Sequence, residues 1–228
     1  ENLYSNIMKF TAYSFNKSHA VSYSILSFQC AWLCHYYTAE WVASFLDKEP
    51  EKRKEKAISL AKSLGFSIRS LDINTSGNVW EISDDGQTLV QPLTSIKGLG
   101  AAAIEQIISN RPFLTIEDFL FSESIVYSKL NKKAIDVLVR SGTMGTLMDG
   151  RFTGAKHFWS AVAVDRPRKQ KNLDENIDTY APEGDFSEEE KIQYLVDLTG
   201  VFPFDLVMSD KIRESLDVRY IPPISEFD

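Results

Sequence analysis

Apolar positions in the first sixty residues recur with a helical period. Leu3, Ile7 and Phe10 fall on one side of a short amphipathic helix predicted over residues 2–10. Between residues 18 and 37 the pattern changes. Val21, Ile25, Leu26, Phe28, Ala31, Trp32 and Leu33 place apolar side chains on nearly every face. A helix greasy all round is enclosed on most sides, so this one calls for something larger to pack against. Ser18 predicts its N-cap, with the helix starting at His19, and Thr38 predicts the cap of a helix over 39–46. A charged helix follows over 51–64, with Ile58, Leu60, Ala61 and Leu64 as its stripe and Gly65 as its stop. The period then shortens. Residues 66–68, 79–82 and 88–90 read as strands, and Asp84-Asp85-Gly86-Gln87 is the turn of a small hairpin. Pro92 opens a short helix.

The helical period returns around Ile96-Lys97-Gly98-Leu99-Gly100. Leu93, Ile96 and Leu99 precede a helix predicted over 101–109, which carries Ala103, Ile104 and Ile107 inward. Two glycines permit a tight turn and a close approach of backbone to a ligand. The amides at the start of the second helix face outward, where a phosphate oxygen can accept from them. This is a helix-hairpin-helix pattern, with an ordinary αα-turn as the alternative. Thr115 and Asp118 predict a capping box for a helix ending near Phe121, and Asn131 a cap for a helix over 132–140. Ser141-Gly142-Thr143-Met144-Gly145 supplies a second glycine turn before a helix over 151–164, giving tandem hairpins of which the second is degenerate. Residues 165–186 read as a linker, basic at Arg166-Pro167-Arg168-Lys169-Gln170-Lys171 and then acidic without an apolar period. Ser187 opens a last helix through Leu198, and residues 219–228, with Pro222-Pro223, read as extended. The fold class that follows is mainly α with a small β-hairpin insertion.

Charge alters the picture of partners. The chain of 228 residues carries a net charge of −7. Residues 172–228 hold 15 acidic against 4 basic side chains, whereas residues 1–171 hold 17 against 21. The first three quarters are therefore mildly basic, and local charge decides phosphate contact. Tyr13-Ser14-Phe15-Asn16-Lys17-Ser18-His19-Ala20 puts a cation, an imidazole and hydrogen-bonding groups at a helix mouth. That run fits an anion site or a capped core helix equally well. Cys30 and Cys34 share one predicted helix beside His35. No further Cys or His cluster completes a metal site there, and the pair fits reduced thiols in a cytoplasmic protein. No stretch has the length of a membrane span, and the first residues lack the basic start and apolar run of a signal peptide.

The motifs together resemble a family. Phe10-x-x-Tyr13-x-Phe15-Asn16-Lys17-Ser18-His19-Ala20-x-x-Tyr23-x-x-x-Ser27-Phe28-Gln29 resembles the fingers region of the bacterial replicative DNA polymerase, the α subunit of DNA polymerase III (C family). The likeness continues in order through His35-Tyr36, Glu40-Trp41-Val42-Ala43, Asp72-Ile73-Asn74 and Asp84-Asp85-Gly86. It then runs through Ile96-Lys97-Gly98-Leu99-Gly100, Arg111-Pro112-Phe113-x-x-Ile116-Glu117-Asp118-Phe119 and Leu130-Asn131-Lys132-Lys133 with Leu138-Val139-x-Ser141-Gly142. Leu198-Thr199-Gly200-Val201-Phe202-Pro203 only loosely resembles the family's Gly-His-Pro stretch.

The resemblance implies a helical fingers segment over 1–64, a β connector over 65–91, tandem helix-hairpin-helix over 92–164, a linker over 165–186 and a C-terminal helix and tail over 187–228. It implies that Asn16, Lys17, Ser18 and His19 meet the triphosphate of an incoming dNTP. Lys97, Gly98, Leu99, Gly100, Lys132 and Gly142 would meet the backbone of the primer-template duplex. The family's palm, with the carboxylates that hold Mg2+, lies outside these residues. The isolated chain is thus expected to be an inactive portion of a DNA-directed nucleotidyltransferase. Its partner would be a palm- and thumb-bearing portion, with no membrane contact, in the cytoplasm of a bacterium or a phage-infected host. A non-catalytic DNA-binding or scaffold protein with the same fold is the alternative.

Overall fold

The computed structural model describes residues 2–13, 17–200 and 202. The extended reading for 219–228 lies outside them, as does Asn16. Helices dominate, with one three-stranded sheet, as the periodicity predicts.

Two hydrophobic cores organise the chain. The first joins α3 (Thr38–Lys48), α4 (Glu51–Ser63) and a small sheet of β1 (Ser67–Arg69), β2 (Glu81–Ile82) and β3 (Thr88–Val90). Val42 and Leu46 from α3 meet Ala57, Ile58 and Ala61 from α4 over Trp80 and Leu89. The Asp47 carboxylate accepts from the Trp80 amide at 3.0 Å, which fixes α3 to the sheet. The predicted hairpin forms, with β2 antiparallel to β3 and Ile82 opposite Leu89. The sheet order is β1-β3-β2, and β1 runs parallel to β3, a pairing that the sequence pattern does not disclose.

The second core runs from Leu71 to Leu198 and holds the hairpin region. A 3-10 turn, Leu93–Ser95, leads to α5 (Ala101–Ser109), and α6 (Ile116–Phe121) and α7 (Lys132–Arg140) follow. Phe119, Leu130, Ile135 and Leu138 are fully enclosed. Predicted caps are formed: the Thr115 hydroxyl accepts from the Asp118 amide within a capping box, and the Asn131 side chain accepts from the Ala134 amide. After a 3-10 turn at Gly145–Leu147 comes α8 (Ala155–Trp159), which widens into a π turn over Ser160–Val164. That helix begins later than the predicted residue 151. Arg151 is drawn outward by Asp149 and Glu117, and Phe152 is buried in the core. At Gly154 the chain then passes so close to its own backbone that a Cβ would fall 2.6 Å from the Gly184 carbonyl oxygen.

The predicted linker is corrected by the structure. Residues 165–186 contain α9 (Gln170–Tyr180), and its Leu173 is fully buried in the second core. The Arg166 guanidinium donates to the Leu130 carbonyl and lies 3.7 Å from the centre of the Tyr127 ring. Burial lowers its pKa from the ordinary arginine value. The last helix, α10 (Glu188–Thr199), starts at Ser187 as expected, closes there in a capping box with Glu190, and packs Leu198 into the same core.

Before these cores stand α1 (Asn2–Tyr13) and α2 (Lys17–Tyr36). Ser18 lies within the first turn of α2, so it does not stand ahead of the helix as its N-cap. Thr38 likewise sits inside α3, where its hydroxyl donates to the Cys34 carbonyl at 2.8 Å. The enclosed helix expected at 18–37 is exposed instead: α2 has no buried residue, with Phe28 70% and Trp32 44% exposed. No helix among the described residues is long and apolar enough to cross a membrane.

Candidate nucleic-acid interface

The first glycine turn is built on an anchor. Leu99 is buried among the residues of the second core, while Gly98 and Gly100 on either side are exposed. The Leu99 amide donates to the Ile96 carbonyl at 3.2 Å, which closes the bend. Gly98 holds φ at +87°, a region that L side chains rarely adopt, so the bend requires glycine there. Gly100 is extended and serves as N-cap of α5, and its carbonyl accepts from the Ala103 amide at 2.9 Å. The first amides of a helix have no intrahelical acceptor. Among the described residues, the amides of Gly98, Gly100, Ala101 and Ala102 donate to no backbone or side-chain acceptor, and both glycines face solvent. Such a row of outward donors is chemically suited to an anionic oxygen.

Lys97 is engaged by the fold. Its amide donates to the Leu198 carbonyl at 2.7 Å, and its Nζ lies 2.6 Å from Glu51 Oε1. Lys132 and Lys133 open α7, both exposed, and the Lys133 Cε lies 4.0 Å from where a Cβ on Gly98 would stand. The structure therefore brings Gly98, Leu99, Gly100 and the start of α7 together. The sequence reading named Lys132 but missed Lys133. The signal was present in the Lys-Lys pair, but choosing between neighbours needs the helix face that packs against Gly98.

The second glycine turn differs. Gly142 follows the end of α7 with φ +76°, and its amide donates to the Val139 carbonyl at 2.9 Å. That N–H closes the helix end and is not offered outward. Thr143 next to it is fully buried, and its carbonyl accepts from the Ile73 amide. Gly142 is thereby a helix stop tied to the loop at 72–76. Its own N–H is thus turned inward, and the expected contact of Gly142 with a DNA backbone stays a proposal.

At the other predicted site, Lys17, Ser18 and His19 form the exposed first turn of α2. The His19 ring stacks obliquely on Tyr23 with centroids 4.3 Å apart, and the Ser18 carbonyl accepts from the Ser22 hydroxyl at 2.8 Å. Lys17 also edges a shallow groove of about 380 Å³ along one face of α2, with Val21, Ile25 and Phe28. Cys30 is exposed and Cys34 half-buried, and both are free thiols. No group of three or more His, Cys, Asp or Glu side chains among the described residues is placed to hold a metal ion.

Residues 65–154 match the helix-hairpin-helix motif. The match brackets the sheet, the Gly98–Gly100 turn and α5 to α7. Similarity also extends to longer proteins. The chain is 31% identical over 173 residues to DNA polymerase III subunit alpha of Chlamydia pneumoniae, covering 72% of this chain and 14% of that protein. It is 34% identical over 158 residues to the Helicobacter pylori subunit, covering 64% and 13%. With the Pseudomonas aeruginosa subunit it shares 29% over 172 residues, covering 72% and 14%. The chain thus spans about one seventh of the length of the curated relatives it matches.

Proposed function

We propose that this chain is the fingers and duplex-binding portion of a C-family replicative DNA polymerase. The observation that carries the duplex contact is the Gly98–Gly100 turn, whose glycines are exposed on both sides of a buried Leu99. Amides there and at the start of α5 would take backbone phosphate oxygens, with lysine charge beside them. Such contacts position a duplex and carry no sequence information. Similarity to the polymerase subunits supports the reading over 62–72% of the chain.

In the same reading, the first turn of α2 meets the triphosphate of the incoming dNTP. Lys17 would neutralise phosphate charge as it grows on the departing pyrophosphate, and Asn16, Ser18 and His19 would hydrogen-bond phosphate oxygens or hold their neighbours. Mg2+ in the complete polymerase would supply activation of the attacking and leaving oxygens. In this reading it would be held by the carboxylates of the palm in the complete polymerase. The reaction class of the assembled protein would be template-directed nucleotidyl transfer in the cytoplasm. This portion alone would not extend a primer.

The test is a titration of primer-template duplex against the chain over a range of salt. The logarithm of the binding constant should fall linearly with the logarithm of salt concentration, by about 0.9 per phosphate contacted. The second reading, a scaffold that keeps the fold for docking, is favoured by the exposed apolar α2. It requires duplex binding to be absent or indifferent to salt.

A further inference from the structure

The lysines around the hairpin turn are not equivalent. Lys97 belongs to the motif but is held from two sides. Glu51 at the start of α4 neutralises its ammonium, and the Leu198 carbonyl near the end of α10 takes its amide. Gly200, which caps α10, is so near that a Cβ there would stand 3.5 Å from both Lys97 Nζ and Glu51 Oε1. One residue therefore ties two helix ends to the turn.

Lys132 and Lys133 are placed otherwise. Neither forms an ion pair with a described residue, and together they rim a groove of about 520 Å³. Trp159, Ala163 and Val164 provide its apolar walls. Asp136 also borders it, yet its carboxylate is spent elsewhere. One oxygen accepts from Arg140 Nε at 3.0 Å and Trp159 Nε1 at 2.8 Å, and the other from the second Arg140 nitrogen. The groove thus offers two uncompensated ammonium groups over an apolar wall whose one indole N–H is already satisfied. Lys133 joins it to the Gly98 turn.

We infer that this groove is a second seat for the sugar-phosphate backbone, continuous with the Gly98 turn, and that Lys97 is a brace rather than a DNA contact. A phosphate would lie between Lys132 and Lys133, with the adjoining sugar against Trp159 and Val164. Lysine acts on phosphate as a point charge, so a lysine already paired with a carboxylate adds little to the attraction of a polyanion. The inference rests on the duplex-binding reading above.

Anisotropy of a labelled primer-template duplex, followed over a salt series with the full chain, tests it together with thermal melting. Lys132→Ala and Lys133→Ala should each weaken binding several-fold and lower the salt slope by about one, with melting unchanged. Val164→Glu, at a 37% exposed position, should weaken binding at least as much. Lys97→Ala should lower the melting temperature and keep the wild-type slope. A slope lowered only by Lys97→Ala overturns the inference and leaves the duplex reading standing. A wild-type chain without salt-dependent duplex binding overturns both.

Discussion

Gly98 and Gly100 look interchangeable in the motif, yet their backbones differ. Gly98 sits at φ +87°, whereas Gly100 is extended at φ −77° with nothing within 4 Å of an added Cβ. A Cβ on Gly98 would make only ordinary contact with Val137 at 3.7 Å, so the cost of Gly98→Ala is backbone strain. That substitution should destabilise the fold by about 1–2 kcal/mol in urea denaturation. Gly100→Ala should change stability by no more than about 0.5 kcal/mol, as expected of an open surface position. If backbone approach to a strand is what Gly100 provides, Gly100→Ala will nevertheless weaken duplex binding. Full affinity in that variant would remove Gly100 from the interface. Residue-level features were legible where they are local. The caps at Thr115, Asn131 and Ser187 each close on a residue three positions away, a distance a sequence pattern can see. The Lys97–Glu51 pair was not legible, because only the tertiary fold brings those positions together.

Among the elements, α5 and α7 were readable from apolar spacing and α10 from its start at Ser187, and α9 was not. Leu173, Ile177 and Tyr180 do stand at helical intervals, and the structure packs all three on the second core, but the polar residues between them masked the stripe. The parallel β1–β3 pairing had no local signal, since its partners are separated by a long crossover. Elements in this region are also tied by charge. Arg151 donates to Asp149 and, at 2.7 Å, to Glu117 on α6, while Gln170 at the start of α9 reaches the same Glu117 oxygen at 3.3 Å. Hydrogen bonds from Arg151 hold both carboxyl groups below their ordinary pKa values. A carboxylate with a lowered folded pKa stabilises the fold above its unfolded pKa, near 4, and loses that contribution as pH falls through the folded value. Arg151→Met should therefore melt below the wild type at pH 7, by about 1 kcal/mol or less for so exposed a cluster. The gap should close as pH drops below about 4. Melting curves at a series of pH values check this, and a gap that stays constant to pH 3 would rule out the charge cluster as its source.

At the scale of the molecule, the two cores leave α1 and α2 outside. A helix with exposed Val21, Ile25, Leu26, Phe28, Trp32 and Leu33 leaves a large apolar surface in water, which monomeric proteins seldom tolerate. The sequence pattern calls for something larger to pack against this helix, and none of its residues is buried among the described ones. Under the proposed function that surface belongs to the palm-bearing portion of the polymerase, and the chain's own thiols can report it. Cys30 is exposed on α2, while Cys34, near the α3 junction, is half-buried. In the isolated chain a maleimide should therefore label Cys30 faster than Cys34. Addition of the palm-bearing portion should slow Cys30 by at least about tenfold, which corresponds to ~1.4 kcal/mol of protection. Primer extension measured in the same mixture decides whether the two portions have assembled. Restored extension with Cys30 labelled as fast as before would place α2 away from that junction, and its apolar surface would then have to serve a different contact.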